Sequence, residues 1–203
     1  MSTQAPVPRT TRGERTAARL RAAARRVFER RGYAAARVED IVAEAGVSHG
    51  TFYTYHENKA AVLDALIDAT AKELQQVVEE PWEGPDVAAT VEAVIDRFLG
   101  VFLEHGDVVR VWFEASAHEQ HFRDRLRDVR AGYVSRVADN LAPALAGTGH
   151  DPAVAAAALV AMVEGYATQG MAADDAQRRA SVVATLAGLW YGGLTHLAAN
   201  DEA

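Results

Sequence analysis

Residues 48–59, with the sequence SHGTFYTYHENK, hold a dense group of side chains that form directional hydrogen bonds. The imidazole of His49 and the hydroxyl of Thr51 can each pair with the edge of a nucleic-acid base. The hydroxyls of Tyr53 and Tyr55 suit phosphate oxygens. The chain has neither a nucleophile elbow around a serine nor a phosphate-cradling glycine loop. We therefore expect recognition chemistry in this segment and no enzymatic activity.

The sequence around this segment has the pattern of a helix-turn-helix. Residues 38–45 form one short helical pattern and residues 48–55 form a second. Between them, Gly46 permits the left-handed backbone of a tight turn, and Ser48 can cap the second helix. Phe52 is the apolar anchor of that helix, so the polar side chains point outward. In such a unit the second helix enters the DNA major groove through its N-terminal residues.

A longer helical pattern begins at Asn58, which can cap it, and runs to about residue 79. Its positive dipole end suits a phosphate, which would offset the unfavourable position of the Lys59 cation. Gly50 costs about 1 kcal/mol in a helix relative to alanine, which favours a close approach of its backbone to DNA. The predicted DNA-contacting residues are Arg37, Val38, Ser48, His49, Gly50, Thr51, Tyr53, Tyr55 and Lys59.

The charge of the chain is unevenly distributed. The whole sequence carries a net charge of -7, but residues 1–60 carry 11 basic and 6 acidic side chains, whereas residues 61–203 carry 10 and 22. A basic head on an acidic body is attracted to DNA at one end only. Arg37 and a basic arm around Arg9 and Arg12 can add to sequence reading, as can DNA shape.

Several other classes of protein are excluded or disfavoured. Cysteine is absent, which rules out disulfides and cysteine-ligated zinc. His118 and His121 flank Glu119, but their spacing of three differs from the spacing of four in zinc hydrolases. We expect no metal and no cofactor. Without a signal peptide or an apolar run of about 18 residues, the expected location is cytoplasmic, with no membrane partner.

Apolar residues recur at helical spacing along nearly the whole chain, which predicts an all-α fold. Pro81, Gly84 and Pro85 interrupt the helices, and Asp86 and Asp151 can cap the helices that follow. The predicted organisation is a flexible basic arm at residues 1–11, a three-helix helix-turn-helix DNA-binding domain at 12–57 and a larger helical ligand-binding and dimerisation domain at 58–203.

The last two helical patterns are apolar around most of their circumference and must be buried. Because the last two elements of a small protein cannot both be central in a monomer, burial between two chains is the preferred interpretation, and an alanine-rich monomer core is the alternative. The predicted dimer-interface residues are Leu159, Met162, Val163, Tyr166, Leu186, Leu189, Trp190, Gly193, Leu194 and Leu197.

Aromatic side chains of the body either fill a core or line a ligand cavity. Pockets between helices are mostly apolar with a few polar groups, so an apolar or aromatic ligand is favoured over a sugar. The predicted ligand-binding residues are Phe98, Phe102, Trp112, Phe113, Glu114, Tyr133 and Tyr166.

The segment GYAAARVEDIVAEAGVSHGTFYTYHENKAAVL resembles the DNA-binding signature of the TetR family of transcriptional regulators. The resemblance covers about residues 13–67. It implies nine or more helices, a homodimer built from the last two long helices, a ligand cavity in the body and repression that ligand relieves. Ala36 stands where the family often has a threonine that caps the second helix. His56 replaces the usual phenylalanine, and a satisfied core histidine is preferred there over a pH sensor.

Together these features predict a ligand-responsive DNA-binding transcriptional regulator, a homodimeric repressor that a small apolar effector releases from a palindromic double-stranded DNA operator. A TetR-like activator, a ligand-independent regulator, a small-molecule binding protein and an α-helical enzyme remain as alternatives.

Overall fold

The computed structural model describes residues 12–79, 82, 87–170 and 176–199, and within these ranges every regular element is an α-helix. The predicted all-α fold is confirmed. Arg9, Pro81, Gly84, Pro85 and Asp86, to which the sequence assigned roles, lie outside the described residues. The helices are α1 (Arg12–Ala35), α2 (Val38–Ala45), α3 (His49–Tyr55), α4 (Lys59–Val77), α5 (Val87–Glu104), α6 (Gly106–His118), α7 (Gln120–Leu141), α8 (Pro152–Gly170) and α9 (Ala176–Ala199).

The chain divides into an N-terminal unit, residues 1–68, and a C-terminal unit, residues 69–203. The division falls inside α4, so this helix contributes to both units. No helix in the described part of the chain is both long enough and apolar enough to cross a membrane.

In the N-terminal unit, α1 packs closely against α2 around a core with almost no exposed surface. Gly32, at φ 73°, breaks α1 before a last helical turn. Because an L side chain is strained at this φ, glycine lets the chain turn toward α2 at no steric cost. The fully buried side chains of this core are Leu20, Ala23, Ala24, Ile41, Phe52, Val62, Leu63 and Ile67.

In the C-terminal unit, α7 packs along α8 and α5 packs along α9, and their apolar faces meet in one continuous core. Asp151 Oδ1 accepts the backbone N–H of Ala153 at 2.8 Å, and Pro152 is the first residue of α8. The predicted cap is confirmed. Proline is tolerated there because the first N–H of a helix has no intrahelical acceptor.

Candidate nucleic-acid interface

The turn between α2 and α3 has the geometry that its sequence predicts. Gly46 adopts φ 61° and ψ 43°, in the left-handed region. Its N–H donates to the carbonyl of Ala43, and the N–H of Val47 donates to the carbonyl of Val42 at 3.1 Å. Ser48 Oγ then accepts the N–H of Thr51 at 3.1 Å and caps α3. The two short helices therefore end and begin with satisfied backbone groups.

The side chain of Phe52 holds α3 against the core of the N-terminal unit. Phe52 is fully buried, and the ring of Tyr53 meets it edge to face, with the centroids 5.4 Å apart. Because residues three and four apart share a helix face, Gly50, Tyr53 and Thr54 form one outward surface. All three are exposed, Tyr53 to 57%. His49 beside them is also exposed, so α3 presents a polar surface one helix wide.

Two threonine hydroxyls on α3 differ in availability. Thr51 Oγ1 lies 2.9 Å from Ser48 Oγ, and the Thr51 side chain is half-buried. Thr54 is exposed, and its hydroxyl donates to the carbonyl of Gly50 at 2.9 Å, which leaves its lone pairs as acceptors. Thr54 is not among the residues predicted from the sequence to contact DNA. Its spacing of four from Gly50, which places both residues on one helix face, is the signal that could have identified it.

Arg37 and Val38 lie at the start of α2. Arg37 is the N-cap residue and is exposed, whereas Val38 is half-buried. The backbone N–H of Arg37 donates to Asp40 Oδ2 at 3.2 Å. Ala36, which replaces a threonine of the family pattern, is buried. Ala36 has no side-chain acceptor for the backbone at the start of α2. The carboxylate of Asp40 accepts the N–H of Arg37 there instead.

Arginines of α1 bind α2 within the N-terminal unit. Arg19 donates to the carbonyls of Ala45 and Gly46 at the C-terminus of α2. Arg26 and Arg30 contact the two carboxylate oxygens of Glu44 at 2.7 and 2.6 Å. The hydrogen bonds from these two guanidinium groups lower the pKa of the Glu44 carboxyl. Arg19, Arg26 and Arg30, which carry a large part of the positive charge of the N-terminal unit, thus hold α2 in place.

The amine of Lys59 occupies a different place from the one predicted. Asn58 Oδ1 accepts the N–H of Ala61 at 2.9 Å, which confirms the cap of α4. Lys59 Nζ instead donates to three carbonyls near the end of α1 and lies 4.5 Å from the centroid of the Tyr33 ring. Those carbonyls belong to Tyr33, Ala34 and Ala36, at 2.7, 3.1 and 3.0 Å. The three N–H groups of Lys59 therefore point at protein oxygens, and the phosphate contact predicted for Lys59 stays a prediction.

His56 is half-buried at the C-terminal end of α3, with its ring 6.0 Å from that of Phe52. Its Nε2 is buried and has no hydrogen-bond partner. The expectation of a satisfied core histidine is therefore wrong. Burial, and secondarily the positive charge of Arg21, lower the pKa of His56. A phenylalanine would fill this apolar position without an orphaned nitrogen.

The predicted ligand-binding residues are not brought together at one place. Phe98 and Tyr133 line a small apolar cavity of about 20 Å³, room for about one water molecule. Trp112 is a core residue whose indole N–H donates to the carbonyl of Phe122 at 3.2 Å, which corrects its assignment to a pocket. Phe102 is buried against Phe98, with their rings 5.0 Å apart. Glu114 and Tyr166 are half-buried away from this cavity.

Phe113 lines a separate open groove of about 660 Å³ between α6, α7 and α8. Glu164 lies in the same groove, accepts the hydroxyl of Tyr133 and pairs with Arg130 at 2.9 Å. Burial raises the pKa of Glu164, and the charge of Arg130 opposes this shift. Glu164 and Arg130 were missed by sequence reasoning, because a single glutamate on an alanine-rich helix carries no pattern.

The predicted dimer-interface residues divide into two groups. Val163, Leu186, Trp190 and Leu194 are at most 9% exposed and belong to the core of the C-terminal unit, so their assignment to an interface is corrected. Leu189 is 59% exposed and Gly193 is also exposed. The remaining four predicted residues are half-buried, namely Leu159, Met162, Tyr166 and Leu197.

In the N-terminal unit α3 is held to the core by Phe52, capped at its start by Ser48 and exposed along one face. This arrangement is that of the helix-turn-helix class of regulators. Comparison with known families refines this class. Residues 20–66 match the model of bacterial regulatory proteins of the tetR family, and residues 86–194 match the tetracyclin repressor-like C-terminal domain. The chain belongs to the tetR family of transcriptional regulators.

Curated relatives and solved structures agree with this membership. The chain is 31% identical over 132 residues to the HTH-type transcriptional regulator EthR of Mycolicibacterium smegmatis, covering 60% of this chain and 61% of that one. It is 27% identical over 143 residues to the HTH-type transcriptional repressor SCO4008 of Streptomyces coelicolor, covering 64% and 71%. The alignment thus spans less than two thirds of EthR.

The fold matches that of solved structures over nearly their whole length. Salmonella enterica GusR has a TM-score of 0.77 and 20% identity, covering 93% of this chain and 100% of that one. The fatty acid degradation regulator FadR of Bacillus halodurans has a TM-score of 0.71 and 18% identity, covering 92% and 98%. At these identities the likeness establishes the fold.

We predict that Lys59→Met destabilises the N-terminal unit by about 1.5 to 3 kcal/mol, because three carbonyls lose a charged donor. Chemical unfolding measures the effect. Lys72→Met is the matched control, since Lys72 is an exposed lysine of the same helix; we expect a change within about 0.5 kcal/mol there. Equal stability of the two variants would contradict the capping role.

We predict that His56→Phe raises stability by about 1 kcal/mol at neutral pH, because the orphaned buried nitrogen is removed. The lowered pKa means that the unfolded chain binds the proton more readily. Stability should therefore be complete above the ordinary value of 6.5 and fall as the pH drops below it. In thermal unfolding between pH 5 and 8, His56→Phe should show a shallower acid loss. The control, exposed His118→Phe, should retain the parent slope.

Proposed function

We propose that the protein is a ligand-responsive DNA-binding repressor that acts as a homodimer on a palindromic operator. The exposed face of α3, formed by Gly50, Tyr53 and Thr54 and held by the buried Phe52, carries this proposal. The DNA major groove admits an α-helix such as α3. Half-sites one turn of DNA apart require recognition helices about 34 Å apart. The relative SCO4008 is a transcriptional repressor, which favours repression over activation.

Base reading is assigned to few side chains. His49 is exposed at the first turn of α3, and Thr54 offers acceptor lone pairs on the outward face. Thr51 contributes less, because its hydroxyl is already engaged with Ser48. The exposed hydroxyls of Tyr53 and Tyr55 are assigned to phosphates. With neither arginine nor asparagine on α3, the exposed Arg37 and DNA shape add specificity.

Lys59 acts indirectly in this scheme. Its amine fixes the end of α1 and the carbonyl of Ala36, the residue before Arg37. The backbone from which Arg37 extends is thereby held. Substituting Lys59 should therefore weaken DNA binding through the position of α2, with little change in the salt dependence that counts phosphate contacts.

Gly50 provides the test of the DNA surface. A Cβ at this position would lie 3.8 Å from Ser48 Oγ, an ordinary contact, so the subunit itself has no need of glycine there. Alanine should stabilise the helix by about 1 kcal/mol. A backbone pressed against DNA would instead be displaced by the added methyl group.

We therefore predict that Gly50→Ala unfolds at higher temperature yet binds its operator at least about tenfold more weakly, equivalent to about 1.4 kcal/mol. The measurements are thermal unfolding and gel shifts on a duplex selected by the parent protein from random DNA. Gly132→Ala, at an interior position of α7, is the control and should leave DNA affinity unchanged. If Gly50→Ala bound the operator with full affinity, α3 would not be part of the DNA interface.

Effector binding within the apolar core requires the C-terminal unit to open. The core cavity of about 20 Å³ is far below the roughly 300 to 1,000 Å³ of small-molecule sites. Its lining is apolar and includes Val94, Phe98 and Val160, which favours an apolar ligand. A ligand that separates these helices binds the opened state preferentially, which is the condition for shifting an equilibrium. Because α4 contributes to both units, we infer that it transmits the shift.

Dimerisation is assigned to the exposed apolar residues of α8 and α9. Val154 on α8 is 66% exposed, and Leu189 and Tyr191 on α9 are 59% and 44% exposed. A Cβ at Gly188 or Gly192 would meet nothing within 4 Å in the subunit, so a second chain can approach closely there. Large exposed apolar side chains grouped on two helices are typical of an interface.

We predict that Leu189→Glu converts the dimer to a monomer in sedimentation velocity at micromolar concentration, because two carboxylates would be buried in a symmetric contact. Phe113→Glu places the same charge at a 43% exposed aromatic residue of α6 and should stay dimeric. A monomeric parent protein, or a dimeric Leu189→Glu, would count against the assignment of this face.

A further inference from the structure

Three metal-ligating side chains meet where α5 gives way to α6. Glu73 comes from α4, Glu104 is the last residue of α5, and His105 links α5 to α6. One donor atom of each residue lies within 4.8 Å of the other two, and His105 Nε2 is 3.0 Å from Glu73 Oε2. We propose that these residues form a binding site for a divalent transition-metal ion, within the C-terminal unit.

The separations suit a single ion. At the tetrahedral angle, two ligands held at about 2.1 Å from one ion lie about 3.4 Å apart. A pair of donors at 4.8 Å, the largest separation within the cluster, has to close by about 1.4 Å to reach this geometry. Glu104 is exposed and the Glu73 side chain is 42% exposed, so both carboxylates are accessible from solvent. His105 is nine-tenths buried and keeps its ring in place, which makes it the preformed part of the site.

The donor set selects the class of ion. One imidazole nitrogen and two carboxylates suit Zn²⁺, Co²⁺ or Ni²⁺, whereas Mg²⁺ and Ca²⁺ prefer oxygen ligands alone. Two carboxylates also balance the two positive charges of a divalent ion. A pair of surface histidines has no negative charge and does not balance them. The sequence gives no sign of this cluster, because Glu73 is remote in sequence from the adjacent Glu104 and His105, whereas His118 and His121 stand close together.

The groove beside the cluster has room for an ion and its water ligands. An open groove of about 460 Å³ is lined by both Glu73 and Glu104, which leaves room for water to complete the coordination. Arg97 and Arg179 line the same groove. The guanidinium of Arg179 donates to the carboxylate and carbonyl of Asp96, each at 2.7 Å, so its charge is locally matched.

A bound ion would cross-link α4 to the α5–α6 junction. The hydrogen bond between His105 and Glu73 already joins these elements. The metal would replace this hydrogen bond with two or three coordinate bonds. Binding to the folded chain alone raises its thermal stability by mass action. This proposal concerns metal binding and holds independently of the proposed repressor function.

The test uses the untagged full-length chain, freed of metal by a chelator and titrated with Zn²⁺ in a calorimeter. We expect one equivalent per subunit and a higher unfolding temperature. Co²⁺ should give a visible absorption band that Zn²⁺ abolishes. Glu104→Gln and His105→Gln should each weaken Zn²⁺ binding at least about tenfold, since each removes one of three ligands. Glu104 is exposed, so its variant keeps the fold intact.

The controls separate this site from adventitious binding. Glu92→Gln removes an exposed carboxylate elsewhere on α5, and the double variant His118→Gln with His121→Gln removes the two exposed histidines around the start of α7. Both should bind Zn²⁺ like the parent protein. The proposal is overturned by absence of binding, by undiminished affinity in Glu104→Gln and His105→Gln, or by loss of binding in the histidine double variant.

Discussion

The N-terminal unit depends on how the ends of its short helices are satisfied. A helix of seven or eight residues leaves most of its backbone N–H or carbonyl groups without intrahelical partners, so its stability comes from caps and packing. Ser48 closes the start of α3, Arg19 closes the end of α2, and Lys59 closes the end of α1. These contacts hold α3 in place while its outer face makes few contacts of its own.

This constraint changes what the positive charge of the head can do. Net charge indicates attraction to DNA, yet Arg19, Arg26, Arg30 and Lys59 are occupied within the fold. Long-range attraction remains, because a paired charge still contributes to the field of the unit. The direct contacts that we propose are therefore made by exposed hydroxyls and by Arg37. A recognition surface rich in tyrosine and threonine reads fewer base edges than one rich in arginine or asparagine.

The C-terminal unit is governed by close packing. The apolar cavity among its described residues has room for about one water molecule, so a larger molecule can enter this core only if helices move apart. Polar groups lie at the edges of this core: Glu164 with Tyr133 and Arg130 between α7 and α8, and His105 with Glu73 near the start of α6. A charge that loses its partner at the edge of an apolar core is costly. Binding or loss of a charged group at these positions can therefore alter the packing of the neighbouring helices.

The sequence by itself determined the helical class, the helix-turn-helix and its caps. These are local properties: the period of apolar residues, the left-handed turn at Gly46, and the side-chain oxygens of Ser48, Asn58 and Asp151 each act within four residues. Tertiary structure decided the rest. Lys59 bonds carbonyls 23 to 26 residues away, His105 meets a glutamate 32 residues away, and Trp190 turns into the subunit core. Periodicity shows that a helix has an apolar face, but only the packed chain determines which neighbour covers that face and which charges meet.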